Sequence, residues 1–265
     1  MNDPGQEQFA YTGIMRFIVV DTADARGCVA LFENSEILGV EEHLGEEDYS
    51  SWLLPTVKKL FSRLSLSLAE LDGYAVCAGP GSFTGLRVGL TTIKAWAEVY
   101  GKPIIAISRL EALVASEQDG SEPLLAAYFD ARRDQVFAAL YQKTAGAYEL
   151  RGEESVTSLP AFLDRVQADA PGARVRWISP DAELLESQPT WQSLVGTGHV
   201  LHRAWPPFAA QLGSLAYRKF RQGDTTDAIS LDANYVRRSD AEVLWKGNKS
   251  PIKAEFPREP KLNVQ

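Results

Sequence analysis

Hydrophobic residues near the start of the chain fall in short runs separated by polar turns. Residues 16–20 (RFIVV), 28–32 and 37–40 are apolar, with Asp21-Thr22-Ala23-Asp24 and Glu33-Asn34-Ser35-Glu36 as breaks. Runs of this length predict three strands joined as an antiparallel meander. The period then changes. Leu53, Val57, Leu60, Phe61 and Leu64 recur at helical spacing and form one apolar stripe, with Ser50 or Ser51 as the cap and Pro55 near the first turn. Ser67-Leu68-Ala69-Glu70 has the spacing of a capping box. Residues 74–78 are apolar without alternation, as a strand covered on both faces requires. Beyond a glycine-rich turn, Leu86, Leu90, Ile93 and Ala97 resume the helical period up to Gly101-Lys102-Pro103. Residues 104–107 read as another buried strand, and Ser108-Arg109-Leu110-Glu111 as a second capping box opening a third helix.

A second unit starts near Pro123. Residues 124–129 and 135–141 flank a polar turn, Asp130-Ala131-Arg132-Arg133-Asp134, and predict a hairpin whose turn matches the one at Asp21 in position. Residues 162–166 suggest a helix and 175–178 a strand. Phe208, Leu212, Leu215, Ala216 and Phe220 form a last amphipathic helix with Gly223 at its C′ position. The resulting expectation is an α/β chain of mixed sheets flanked by helices. It has a disordered leader at 1–14, a first lobe at 15–115, a second, reduced lobe at 116–242 and a flexible basic tail at 243–265. The helix at 208–223 is free to pack back on the first lobe.

Composition narrows the function classes. The 265 residues are 45% hydrophobic and 23% charged, within the range of ordinary globular proteins. Net charge is −8, which disfavours tight nucleic-acid binding by the chain alone. The exception is residues 246–265, with five basic and two acidic residues, which leave −11 on residues 1–245. No apolar run reaches membrane-spanning length, and the polar start resembles neither a signal nor a transit peptide. Cys28 and Cys77 lie inside strand-like runs, which points to buried reduced thiols and a cytoplasmic location. His199 and His202 lack a nearby Cys or Glu to complete a zinc set, and His43 stands alone among acids. No Ser/His/Asp or Cys/His arrangement is visible, so neither a catalytic residue nor a metal ligand is assigned.

The glycine-rich stretch at 78–89, AGPGSFTGLRVG, raises the possibility of a phosphate loop. It fails the Walker pattern because Thr84 and Leu86 stand where the second glycine belongs, and no lysine follows. It fails the dinucleotide fingerprint at Thr84, and the nucleophile-elbow spacing because Gly81 abuts Ser82. Two readings remain. Amides of Gly81, Ser82, Phe83 and Thr84, with Asp21 and Thr22, could cradle an anion at a helix start. Alternatively, Gly79 and Gly81 shape a turn while Gly85 and Gly89, four apart, let another element approach closely.

Several segments together resemble the TsaB (YeaZ) family. They are residues 16–22 (RFIVVDT), Ser51-Trp52-Leu53-Leu54-Pro55, residues 71–101 around G-P-G-S-F-T-G-L-R-V-G, and residues 108–113 (SRLEAL). Asp130-Ala131-Arg132-Arg133 with residues 136–141 (VFAALY), and Tyr235-Val236-Arg237-Arg238, complete the match. The resemblance implies a two-lobed actin/sugar-kinase-like fold. It implies a non-catalytic subunit of the complex that places threonylcarbamoyl on the adenosine beside the anticodon, in tRNAs reading codons that begin with A. The implied partners are a catalytic TsaD-type subunit, a TsaE-type ATPase, tRNA through the complex only, and a second copy of the chain; no cofactor and no membrane are implied. Pairing would use the first two long helices, with Trp52, Leu53, Val57, Leu60, Gly85, Gly89, Trp96 and Tyr100 as candidate interface residues. The catalytic paralogue carries an H-x-x-x-H metal motif where this chain has residues 108–115, which contain no histidine. The chain also departs from the family at Ala23, where serine is usual, and at Ser179-Pro180-Asp181-Ala182, where glycines are usual. A kinase-like ATPase or a self-sufficient threonylcarbamoyl transferase is the competing class.

Overall fold

The predicted meander is β1 (Arg16–Asp21), β2 (Cys28–Glu33) and β3 (Glu36–Glu42), antiparallel neighbours in one sheet. Parallel strands β4 (Gly73–Gly79) and β5 (Ile104–Ser108) extend it, in the order β3-β2-β1-β4-β5. The computed structural model describes residues 13–45, 47–117, 120–234 and 236. The tail at 243–265, residues 1–12 of the expected leader, and Tyr235, Arg237 and Arg238 lie outside that range.

A second sheet repeats this plan. Strands β6 (Leu124–Arg132), β7 (Gln135–Thr144) and β8 (Ala147–Thr157) form the meander, and β9 (Val175–Ser179) and β10 (Val200–Arg203) add in parallel. Its order is β8-β7-β6-β9-β10, the same topology as the first. Two related α/β lobes of mixed sheet are therefore present, the class that the family resemblance implied.

Side-chain parity shows how the helices are distributed. On β1, Val20 faces Gly89 of α2 (Phe83–Tyr100), which shares that side of the sheet with α1 (Tyr49–Leu64). On the opposite face, Phe17 stacks on its cross-strand partner Phe32 at 5.1 Å, and Phe32 lies against Gly213 of α7 (Ala209–Arg221). The predicted C-terminal helix thus lies on the first sheet. Between it and the second sheet runs α3 (Arg109–Ala115), which touches α7, β5 and β6.

The central strands of the second sheet, β6, β7 and β9, are buried on both faces over most of their length. Leu125, Ala127 and Phe129 of β6 join the same core as the first sheet, and Phe208 meets Phe129 edge-on at 6.1 Å. The alternate residues, Leu124, Ala126 and Tyr128, pack with Phe162, Leu185 and Trp191 into a separate cluster. Those three come from α4 (Leu159–Asp169), α5 (Ala182–Glu186) and α6 (Trp191–Gly196).

Two expectations about helix starts change. The residue capping α1 is Asp48, through its carbonyl to the Ser51 and Trp52 amides; Ser50 and Ser51 are already inside the helix. Pro55 consequently lies inside the helix rather than near its first turn. The Ser108 cap holds: its Oγ accepts from the Leu110 and Glu111 amides at 3.1 and 3.3 Å.

Candidate functional site

The first hairpin loop, residues 22–27, is folded into the glycine-rich turn between β4 and α2. The Ser82 amide donates to the Ala23 carbonyl at 2.7 Å, and Thr22 Oγ1 donates to the Gly85 carbonyl at 2.7 Å. A β-carbon at Gly81 would stand 2.2 Å from the Ala23 oxygen, and one at Gly85 would stand 2.1 Å from the Thr22 oxygen. At Gly89 it would stand 2.4 Å from Thr22 Oγ1. These glycines are required because another stretch of backbone lies where a side chain would be. Ser82 caps α2 by accepting from the Gly85 amide at 3.3 Å, and the Phe83 ring lies under the Arg87 guanidinium.

This arrangement spends much of the proposed anion cradle internally. Thr22 and the Ser82 amide are engaged, Gly81 is closed off by Ala23, and Asp21 is a buried acid beneath. Asp21 Oδ1 accepts from the Ala23 amide at 2.9 Å, while its buried Oδ2 has no hydrogen-bond partner. Burial pushes the Asp21 carboxyl above its ordinary range, against the opposing pull of Arg109.

Arg109, the first residue of α3, is the charged group that sequence reasoning missed. It is 3% exposed. Its guanidinium donates to Asp24 Oδ2 at 2.5 Å and lies 4.0 Å from the centroid of the Phe129 ring on β6. Its Nε has no partner. Burial works to raise the Asp24 carboxyl, but Arg109 outweighs it and holds that group below the usual carboxylate range. One residue earlier, Ser108 Oγ donates to Glu154 of β8, which also accepts from the Asn234 amide group. The start of α3 therefore contacts the second lobe twice.

The second hairpin turn is built differently. Arg132, Arg133 and Asp134 all take left-handed backbone angles, at φ 62°, 56° and 56°. Asp130 steadies the turn by accepting from the Arg132 amide at 2.7 Å and from its guanidinium at 3.0 Å. The Asp130 amide donates to Asp181 Oδ2 at 2.8 Å, just beyond β9.

The other candidates are dispersed. Cys28 and Cys77 are free and buried, and burial pushes both thiols well up, which makes them poor nucleophiles. His43 lies against the carbonyls of Ala25 and Glu47 and packs on Tyr49 and Trp52. His199 accepts from the Trp177 indole, whereas His202 meets Glu117, so the two share no site. Among the described residues, no group of three His, Cys, Asp or Glu is arranged to hold a metal ion.

Interface candidates divide by burial. Leu53, Val57, Leu60, Gly85 and Gly89 are interior residues, which corrects their assignment to a contact surface. The apolar stripe of each helix is its inward side, facing the sheet. Trp52 is half-buried against His43 and Tyr49, and Trp96 against Tyr74, while Tyr100 lies at the surface. The outward apolar residues of these helices are Leu54, 56% exposed, and Val99, 74% exposed.

The described residues form a two-lobed α/β protein whose first hairpin loop packs into the β4–α2 turn of the same lobe and whose Arg109 reaches from Asp24 to Phe129 of the second lobe. The family model described as "TsaD: tRNA N6-adenosine threonylcarbamoyltransferase" matches residues 33–187, more than half of the chain, and the chain belongs to that family. Within it the chain stands with the TsaB (YeaZ) members. It is 28% identical over 238 residues to the tRNA threonylcarbamoyladenosine biosynthesis protein TsaB of Bacillus subtilis, covering 87% of this chain and 98% of that protein. The TsaB protein of Escherichia coli is 27% identical over 252 residues, covering 88% and 97%. A crystal structure from Pseudomonas aeruginosa, described as an uncharacterized protein with similarity to peptidase YEAZ, is 25% identical with a TM-score of 0.70. The match covers 84% of this chain and 100% of that one. No helix among the described residues is long and apolar enough to cross a membrane.

Proposed function

We propose that the chain is the non-catalytic subunit that works beside a TsaD-type transferase in making threonylcarbamoyladenosine in tRNA. The observation that carries this reading is the first hairpin loop packed backbone-to-backbone into the β4–α2 turn. A chain that fills this turn with its own loop serves better as a shaped partner than as a holder of substrate phosphates. The near full-length relation to TsaB proteins supports the same role.

The transferase would dock on the outward side of α1 and α2, where Leu54, Val99 and Tyr100 are exposed. The same face would serve self-association, and a TsaE-type ATPase would join the pair. With −11 on residues 1–245, the chain would meet tRNA through the complex, in the cytoplasm.

Reconstitution tests this. The purified chain alone is expected to bind no ATP by calorimetry and to modify no tRNA. Adding it to TsaD, TsaE and the threonylcarbamoyl-AMP synthase restores the modified nucleoside. Modification by this chain with acyl donor alone would overturn the reading. Leu54→Asp and Val99→Asp are expected to abolish co-elution with TsaD while leaving thermal stability unchanged. Co-elution that survives both would move the docking face elsewhere.

A further inference from the structure

Arg109 has an unusual environment for a residue at the start of a helix. Its guanidinium is enclosed between an anion of the first lobe, Asp24, and an aromatic face of the second, Phe129. Asp21 lies close enough to act on it, and Asp24 itself feels Arg132 and Asp181 from the second lobe. The site is incompletely satisfied, because Asp21 Oδ2 and Arg109 Nε are both buried without partners. A buried ion pair of this kind is weak evidence for stability, since well-packed apolar side chains often serve as well. A planar guanidinium can instead impose geometry: its donors demand an anion in their plane and its face demands a flat partner.

We infer that Arg109 is an internal cation that ties the two lobes in one relative position, with Asp24 fixing its edge and Phe129 fixing its face. The neighbouring bond from Ser108 to Glu154 places a second contact at the same helix start. The tie is independent of whether the chain acts with a transferase, because it lies wholly within one chain.

Spin labels at Ser214→Cys on α7 and Ala168→Cys on α4, both exposed positions, report the distance between the lobes. Native Cys28 and Cys77 are fully buried and should escape labelling. The pulsed-EPR distance distribution is expected to be narrow in the parent and to broaden on the order of twofold in Arg109→Ala, as a released two-body arrangement would. Millimolar guanidinium, which fits the space vacated between Asp24 and Phe129, should narrow it again, whereas sodium at equal ionic strength should not. An Arg109→Ala distribution as narrow as the parent's overturns the inference, as does a broadened one that sodium restores equally well. Should Arg109→Ala lose its cooperative thermal transition, Asp24→Asn decides, because Asp24 is partly exposed and its loss removes only the anion. Broadening in Asp24→Asn supports the tie, and an unchanged width overturns it.

Discussion

The two hairpin turns occupy equivalent places in sheets of the same topology and are built in opposite ways. In the first lobe the connection runs from Asp21 to Cys28, and its Thr22 and Ala23 are buried beneath the β4–α2 turn. In the second, only Arg133 and Asp134 separate β6 from β7, and the arginines face outward. Glycine appears where backbone meets backbone, at Gly81 and Gly85. It is absent from the second turn, although three successive left-handed residues there would favour it. The duplicated framework thus leaves each turn to be shaped by what packs on it. A covered turn is sterically exacting, and an open one tolerates strain that a single aspartate can offset.

Gly85→Ala should disturb the covered turn most. A β-carbon there must displace the Thr22 backbone, and the expected loss is about 3 kcal/mol or more in urea unfolding, at the upper end for overpacked sites. An alanine variant of parental stability would remove the steric account of the first turn.

Asp21→Asn should have the opposite sign. Burial raises the native carboxyl, so the folded state favours its neutral form and loses stability as pH rises from the unfolded value, about 3.9, through the raised native one. The amide keeps the acceptor for the Ala23 amide and carries no charge. Its melting temperature should exceed the parent's at neutral pH, with the gap shrinking as pH falls through that window. A lower melting temperature at pH 7 would show that attraction to Arg109 outweighs burial.

In the second turn, Asp134→Gly should stabilise by about 0.5–1 kcal/mol, the left-handed penalty less the extra entropy of an unfolded glycine. No gain would mean that Asp134 makes a contact worth as much as its strain.

The smallest effect concerns Asp24, whose carboxyl is held low by Arg109. Its contribution is present above the unfolded carboxylate value and fades as pH falls through the lower native one. The acid limb of the stability profile should therefore flatten in Asp24→Asn, modestly because the side chain is 43% exposed. An unchanged acid limb would detach Asp24 from the tie.

Most of the framework was legible in the sequence because burial leaves a period. The three-strand meander, α2 and the C-terminal helix each follow from apolar spacing. Strand β8 was not, because it lies at the sheet edge with mostly half-exposed or exposed residues and carries little apolar signal. Helices α5 and α6 are five and six residues long, too short for a helical period to emerge. The same logic bears on the surface of these helices: the apolar period marks the inward stripe that holds Leu53 and Leu60, whereas the exposed Leu54 and Val99 fall off it and leave no pattern. Arg109 could not be read from local pattern. At the opening of a capped helix an arginine looks solvent-facing, and what buries it comes from Asp24 and Phe129, far away in the chain.

The position of α7 has a consequence for how the chain is made. The face of the first sheet that carries Phe17 and Phe32 is covered by a helix beginning at Ala209, roughly a hundred residues after the last strand of that sheet ends at Ser108. At typical synthesis rates of about 5–20 residues per second, that face waits on the order of 5–20 s for its cover. The first lobe is therefore translated early and finished late, and a ribosome that stops before Ala209 releases a sheet with one apolar side open to aggregation.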